Sequence, residues 1–133
     1  MWYNFSMTAK RILIVDDDID LREALESALS HAGFDTLTAN DGAEGLRVAL
    51  ENKPDLILLD IMMPIKTGHE TLNALRRDSW GKTVPVIFLT NFDDATNIAQ
   101  GFKQKGDEYI IKSGTSLESI VKKVKQYLGG YHD

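Results

Sequence analysis

Cysteine is absent from this 133-residue chain, and with it disulfides, thiolate metal sites and cysteine nucleophiles. Positive charge is also short. The net charge of −5 argues against a grip on nucleic acid, which is electrostatic first. No apolar run approaches the roughly 18–20 residues that a membrane span needs. The opening residues 1–6, MWYNFS, are too short for a signal peptide and lack its charged head. Met7 is a more natural start, so residues 1–9 read as an N-terminal extension. Internal linkers, repeats and low-complexity segments are missing as well. What is present is ordinary for a soluble globular protein: 43% hydrophobic and 26% charged residues. The length fits one domain, burying about 65–70% of its extended surface.

Three apolar stretches share one construction. Arg11–Val15 runs into the acidic triplet Asp16, Asp17 and Asp18; Asp55–Leu59 runs into Asp60; Tyr109–Ile111 runs into Lys112. Short apolar strands separated by helical patterns build a parallel sheet, and ligands bind at the carboxyl ends of its strands. Several carboxylates and one ammonium should then converge on one rim. Like charges that close cannot all stay ionised unless a cation joins them. The pattern predicts a hard divalent metal and chemistry on an anion brought to it.

Strands and amphipathic helices alternate five times along the chain. Strands are expected at about 11–15, 34–39, 55–60, 84–89 and 108–111. Helices are expected at about 19–32, 42–52, 68–78, 93–105 and 116–128. Leu21, Leu25, Ala28 and Leu29 give the first helix one buried face, and Gly33 stops it. Leu117, Ile120, Val121, Val124 and Leu128 do the same for the last. Thr67–Glu70 and Thr115–Glu118 read as capping boxes. Right-handed crossovers make this a doubly wound sheet, either Rossmann-like or flavodoxin-like with order 2-1-3-4-5. In the second order strands 1 and 3 are neighbours, which brings Asp16, Asp17 and Asp60 together. The expected fold is therefore α/β, flavodoxin-like and doubly wound, over residues 10–128, with 129–133 as a C-terminal tail.

Over about residues 10–128 the chain resembles the receiver domain of two-component response regulators. The matching pieces are Ile12–Asp18, Leu59–Pro64 with Gly68 shortly after, Phe88–Thr90, and Gly106–Lys112. Each is weak alone; four in order at four strand ends are a strong signal. The resemblance implies that Asp60 is the phosphoacceptor. It implies that Asp17, Asp60 and the Met62 backbone carbonyl ligate Mg²⁺ (or Mn²⁺), with Asp16 acting through a metal-bound water. Lys112 would bind the carboxylate and later a phosphoryl oxygen, Thr90 would donate its hydroxyl, and Tyr109 would change rotamer with Thr90. The implied partners are a sensor histidine kinase or histidine phosphotransfer protein and an output partner that the sequence does not name. The implied place is the cytoplasm, with no direct contact to nucleic acid or membrane. Residues 92–128 would form the surface remodelled on activation, and a candidate dimer face.

Each residue also has a plainer reading. An Asp before a helix is usually an N-cap, and Asp18 is read that way. A lone Lys after a strand is usually solvated, Thr90 could be a strand-end hydroxyl, and Tyr109 could be half-buried packing. Lys122, Lys123 and Lys125 read as a solvated helix face, and no role falls to His31, His69 or His132. Among function classes, a Mg²⁺-dependent aspartyl phosphohydrolase usually has a second Asp two residues after the nucleophile; here that position is Met62, which moves no proton. A flavodoxin-like phosphate cradle would be repelled by the acidic triplet. A receiver that binds partners without phosphorylation remains the main alternative to a phospho-switch that catalyses only its own modification.

Two departures from the family pattern carry expectations. Ser113 follows Lys112 where proline is usual; a cis bond before serine costs about 3–4 kcal/mol, so a trans bond is expected, with Lys112 carried by a rerouted loop. Asn91 stands where a small residue is commoner, and with Met62 it would flank the path of the water that hydrolyses an aspartyl phosphate. Asn91→Ala should therefore shorten the lifetime of phosphorylated protein, followed by intact mass over time; an unchanged decay refutes the role of Asn91.

Overall fold

A computed structural model describes residues 9–91 and 108–128. The strands are β1 (Arg11–Val15), β2 (Asp35–Ala39), β3 (Leu56–Asp60), β4 (Val86–Thr90) and β5 (Glu108–Ile111). The helices are α1 (Ile19–His31), α2 (Gly42–Asn52), α3 (Gly68–Arg76) and α4 (Leu117–Tyr127). The helix expected at 93–105 and its stop at Gly106 lie outside the described residues. All strands pair in parallel in the order β2-β1-β3-β4-β5, the flavodoxin-like order.

Alternation along the strands divides the core between two faces. Leu13, Val15, Ile57, Leu59, Val86 and Phe88 point to one side and pack with Ala49 of α2 and Leu72 and Leu75 of α3. Ile12, Ile14, Leu56, Leu58, Ile87 and Leu89 point to the other, against Leu25 and Leu29 of α1 and Ile120 and Val124 of α4. Burial on both faces is why β1, β3 and β4 read as continuous apolar runs. The first strand-end residue of β4 is displaced from the sequence expectation. Pro85 has no N–H to give the ladder, so β4 starts at Val86 and extends through Thr90.

Register places the charged residues. Val15 pairs with Leu59 between β1 and β3, so Asp16 and Asp60 follow in step. Asp60 pairs with Leu89, and Thr90 with Ile111, one residue before Lys112. The Lys112 N–H continues the ladder, donating to the Thr90 carbonyl at 2.7 Å. Lys112 thus leaves the sheet directly from β5. No peptide bond among the described residues is cis, so the 112–113 bond is trans, as expected before serine. The turn comes after Lys112, with Gly114 in the left-handed region at φ 84°.

The caps follow their chemistry with one exception. Asp18 caps α1, Asp41 caps α2, and Thr67 with Glu70 forms a complete capping box on α3. In α4 the cap is Ser116, which accepts from the Ser119 N–H, and not Thr115. Leu117, expected on the buried face, is exposed there, while Ile120 and Val124 are buried. Lys123 is not simply solvated: it pairs with Glu108 at 2.7 Å.

Phe88 is fully buried at the centre of one face and bears edge-on against His69, ring centres 5.8 Å apart. Phe88→Ala should cost about 3–5 kcal/mol of unfolding free energy in urea titrations. A loss below about 1 kcal/mol would mean that the face repacks freely.

Candidate functional site

The carboxyl edge of the sheet gathers the residues that the sequence singled out. Asp16 directly follows β1 and is fully buried; Asp60 ends β3 and is 3% exposed; Asp17 is exposed beside them. One oxygen from each of the three lies within 4.8 Å of the others. Lys112 Nζ stands 3.1 Å from Asp16 Oδ2 and 3.2 Å from Asp60 Oδ1. Thr90 is buried at the end of β4, next to Asp60's strand.

Backbone geometry holds these groups in place. The Asp18 N–H donates to Asp16 Oδ1 at 2.9 Å, tying the first acid of the triplet to the residue that caps α1. The Arg22 guanidinium, from α1, donates to the Asp16 carbonyl at 2.8 Å. After Asp60 the chain must leave the sheet sharply. The Gly68 N–H donates to the Ile61 carbonyl at 2.9 Å, closing the loop. A Cβ on Gly68 would stand 2.5 Å from the Asp60 carbonyl oxygen, so only glycine allows this approach. Within the loop, Ile65 takes φ 72°, rare for a β-branched residue, and the Lys66 N–H donates to Pro64 O at 2.8 Å.

Charge is unbalanced. Burial pushes the Asp60 pKa up to about 7, the Asp16 charge adds to the rise, Lys112 opposes it, and a hydrogen bond with Asp17 adds again. Burial acts to lower the Lys112 pKa, but the charges of Asp16 and Asp60 overcome it and the net movement is upward. Lys112 is therefore a fixed cation at neutral pH, and one cation does not offset three carboxyl groups. Asp16 Oδ2, itself buried, has to share the Lys112 ammonium with Asp60 Oδ1.

A hard divalent ion fits this donor set. Mg²⁺ holds oxygens at about 2.0–2.1 Å, so two ligands lie at most about 4.2 Å apart. Neighbouring oxygens in an octahedral shell stand about 2.9 Å apart, so three oxygens within 4.8 Å of one another would draw together around the ion. Asp16, Asp17 and Asp60 are the side chains that could hold such an ion, and it would take up the charge that Lys112 leaves uncompensated.

Other expected members are less engaged. The Thr90 hydroxyl donates to the Asn91 carbonyl at 3.1 Å. Met62 is 57% exposed in the loop after β3, and Tyr109 is partly exposed on β5. The sequence reading passed over Arg22 and the left-handed Ile65. An Arg one turn into a helix after an acidic loop was the available signal for the first; nothing in a β-branched residue signals the second.

The metal-free protein should show the Asp60 imbalance in its pH dependence. Unfolded, Asp60 loses its proton near 3.8; folded, near about 7. Between these values the folded state keeps a proton that the unfolded state has released, so stability falls as pH rises, and the loss is complete above about 7. Asp60→Asn should stabilise the metal-free protein by about 2–4 kcal/mol near pH 8, with the gain vanishing toward pH 4. Urea titrations at several pH values check this; a gain that does not vary with pH contradicts it.

Comparison with known proteins agrees with this geometry. The family model for the response regulator receiver domain matches residues 12–125. The transcriptional regulatory protein PrrA of Mycobacterium tuberculosis is 40% identical over 122 residues, covering 92% of this chain and 51% of PrrA. The chain thus spans about half the length of the curated relatives it matches. The chemotaxis response regulator CheY4 of Vibrio cholerae superposes with TM-score 0.81 at 30% identity, covering 90% of this chain and 99% of CheY4. The response regulator TrrA of Thermotoga maritima, solved in complex with Mg²⁺-BeF, gives TM-score 0.76 at 32% identity over 89% of this chain and 98% of TrrA. With the parallel order, the acidic cluster and the lysine in place, the chain belongs to the response regulator receiver domains of two-component signalling.

Proposed function

We propose that Asp60 accepts a phosphoryl group from a phosphohistidine on a sensor kinase or phosphotransfer protein, and that the modified domain is read by an output partner. The observation that carries this is a buried carboxyl group held 3.2 Å from a lysine ammonium and flanked by two further acids at one sheet edge. An Asp60 oxygen forms the bond to phosphorus as the P–N bond of the donor breaks, and the bonding pair leaves on the imidazole. Phosphoryl transfer needs an in-line nucleophile and positive charge on the equatorial oxygens, with little covalent help. Lys112 supplies one such charge from a fixed position. Mg²⁺, or Mn²⁺, held by Asp16, Asp17, Asp60 and the Met62 carbonyl, would supply the rest and favour the ionised nucleophile; the Mg²⁺-BeF complex of TrrA supports this reading.

Thr90 is one strand over from Asp60, and its hydroxyl would exchange the Asn91 carbonyl for a phosphoryl oxygen. Tyr109, on the next strand, pairs in register with Phe88 and would follow that change. The readout is a population shift over residues 92–128, of which β5 and α4 are described here. Beyond its own phosphorylation and dephosphorylation the domain would turn over no substrate, and it would work in the cytoplasm. No helix among the described residues is long and apolar enough to cross a membrane.

Intact mass after incubation with acetyl phosphate and Mg²⁺ tests the proposal. One added phosphoryl group is expected, absent in Asp60→Asn and absent without Mg²⁺. If neither acetyl phosphate nor a phosphohistidine protein modifies the wild type, the reading gives way to a receiver that binds partners without phosphorylation.

A further inference from the structure

We infer that Arg22 is a positioning residue for the acidic cluster: through the Asp16 carbonyl it fixes the direction in which Asp17 presents its carboxylate. The inference rests on the phosphoacceptor reading above. Asp16 and Asp60 are packed on every side, but Asp17 is exposed and lies between the end of β1 and the start of α1. Its side chain has no core around it to set its direction. Its direction is set by the hydrogen bond it shares with Asp60 and by the backbone it departs from.

The Asp16 carbonyl and the Asp17 N–H belong to one planar peptide unit. Holding the carbonyl therefore fixes the plane from which Asp17 departs. Arg22 Nη1 holds it at 2.8 Å. Arg22 is itself seated in the first turn of α1, its N–H bonded to the Asp18 carbonyl at 2.9 Å. From the opposite side, the Asp18 N–H bonds Asp16 Oδ1 at 2.9 Å, and the Asp16 N–H bonds the Ala39 carbonyl at 3.2 Å. Asp16 is fixed at its amide, its carboxylate and its carbonyl; Lys112 also reaches the carboxylate, whereas Arg22 holds the backbone and can be removed without touching the acids or their ammonium. Groups that orient metal-binding side chains matter to affinity nearly as much as the ligands do.

The guanidinium also brings positive charge toward the cluster, and that effect has the opposite sign. A positioning role predicts weaker metal binding when Arg22 is lost; a purely electrostatic one predicts tighter binding. Calorimetric titration of Mg²⁺ into the full chain separates them. Arg22→Ala should weaken Mg²⁺ binding about 10-fold, and Arg22→Lys, which keeps one donor, should recover part of the loss. Phosphorylation of Arg22→Ala by acetyl phosphate should return close to the wild-type rate at saturating Mg²⁺, because the brace acts on occupancy and not on the transfer itself. Should the alanine variant fail to fold, Arg22→Met keeps the packing stem without a donor and carries the same comparison. Unchanged or tighter Mg²⁺ binding in the variant, with the wild type binding normally, overturns the inference. A wild type that binds no Mg²⁺ overturns the phosphoacceptor reading and this inference together.

Discussion

One ammonium shared between two buried carboxyl groups organises the working edge of this fold. Lys112 reaches both Asp16 and Asp60 from the far side of β4, so three strands that are not all neighbours are tied at their carboxyl ends. Replacing such a lysine would leave buried acid without compensation, a far larger penalty than the loss of a surface ion pair. Yet the same lysine does not offset the whole cluster: burial, and after it the Asp16 charge, still raise the Asp60 pKa against it. The site is stable enough to exist and unsatisfied enough to seek a cation.

The surrounding architecture makes this arrangement reproducible. Parallel register sets Asp16 and Asp60 level with each other because Val15 and Leu59 pair. Burial on both sheet faces makes any slip in that register expensive, since a shift by one residue would turn every core side chain to the wrong face. The apolar core and the charged rim are therefore one construction: the first fixes positions to within a bond length, and the second uses them.

Much of this was legible because it depends on periodicity and on strand ends. The runs ending in Asp16, Asp60 and Lys112, the strand order and the Thr67–Glu70 cap all follow from local pattern plus one topological choice. What escaped depends on competition among near-equivalent options. Thr115 and Ser116 both offer a hydroxyl to start α4, and the Thr115 N–H is drawn back to the Lys112 carbonyl, so the cap falls one residue later. Leu117 follows that shift out to solvent. Lys123 reads as a surface charge until the fold places Glu108 beside it. No pattern in the chain sends the Thr90 hydroxyl to the Asn91 carbonyl. For Arg22 the sequence offered its place one turn into α1 but not its partner, a backbone carbonyl, which carries no residue type.

The Gly68 closure has a further consequence for how such a domain can diversify. Because the Gly68 N–H meets the Ile61 carbonyl and its Cα sits against Asp60, the loop between them has no slack. An inserted or deleted residue would have to move the end of β3 itself. The closure thus constrains the loop's length, whereas the Ile65 side chain, 80% exposed, projects outward from it. On such a frame an exposed position of the loop can take a different side chain, and so a different surface, while the backbone that carries Asp60 stays in place.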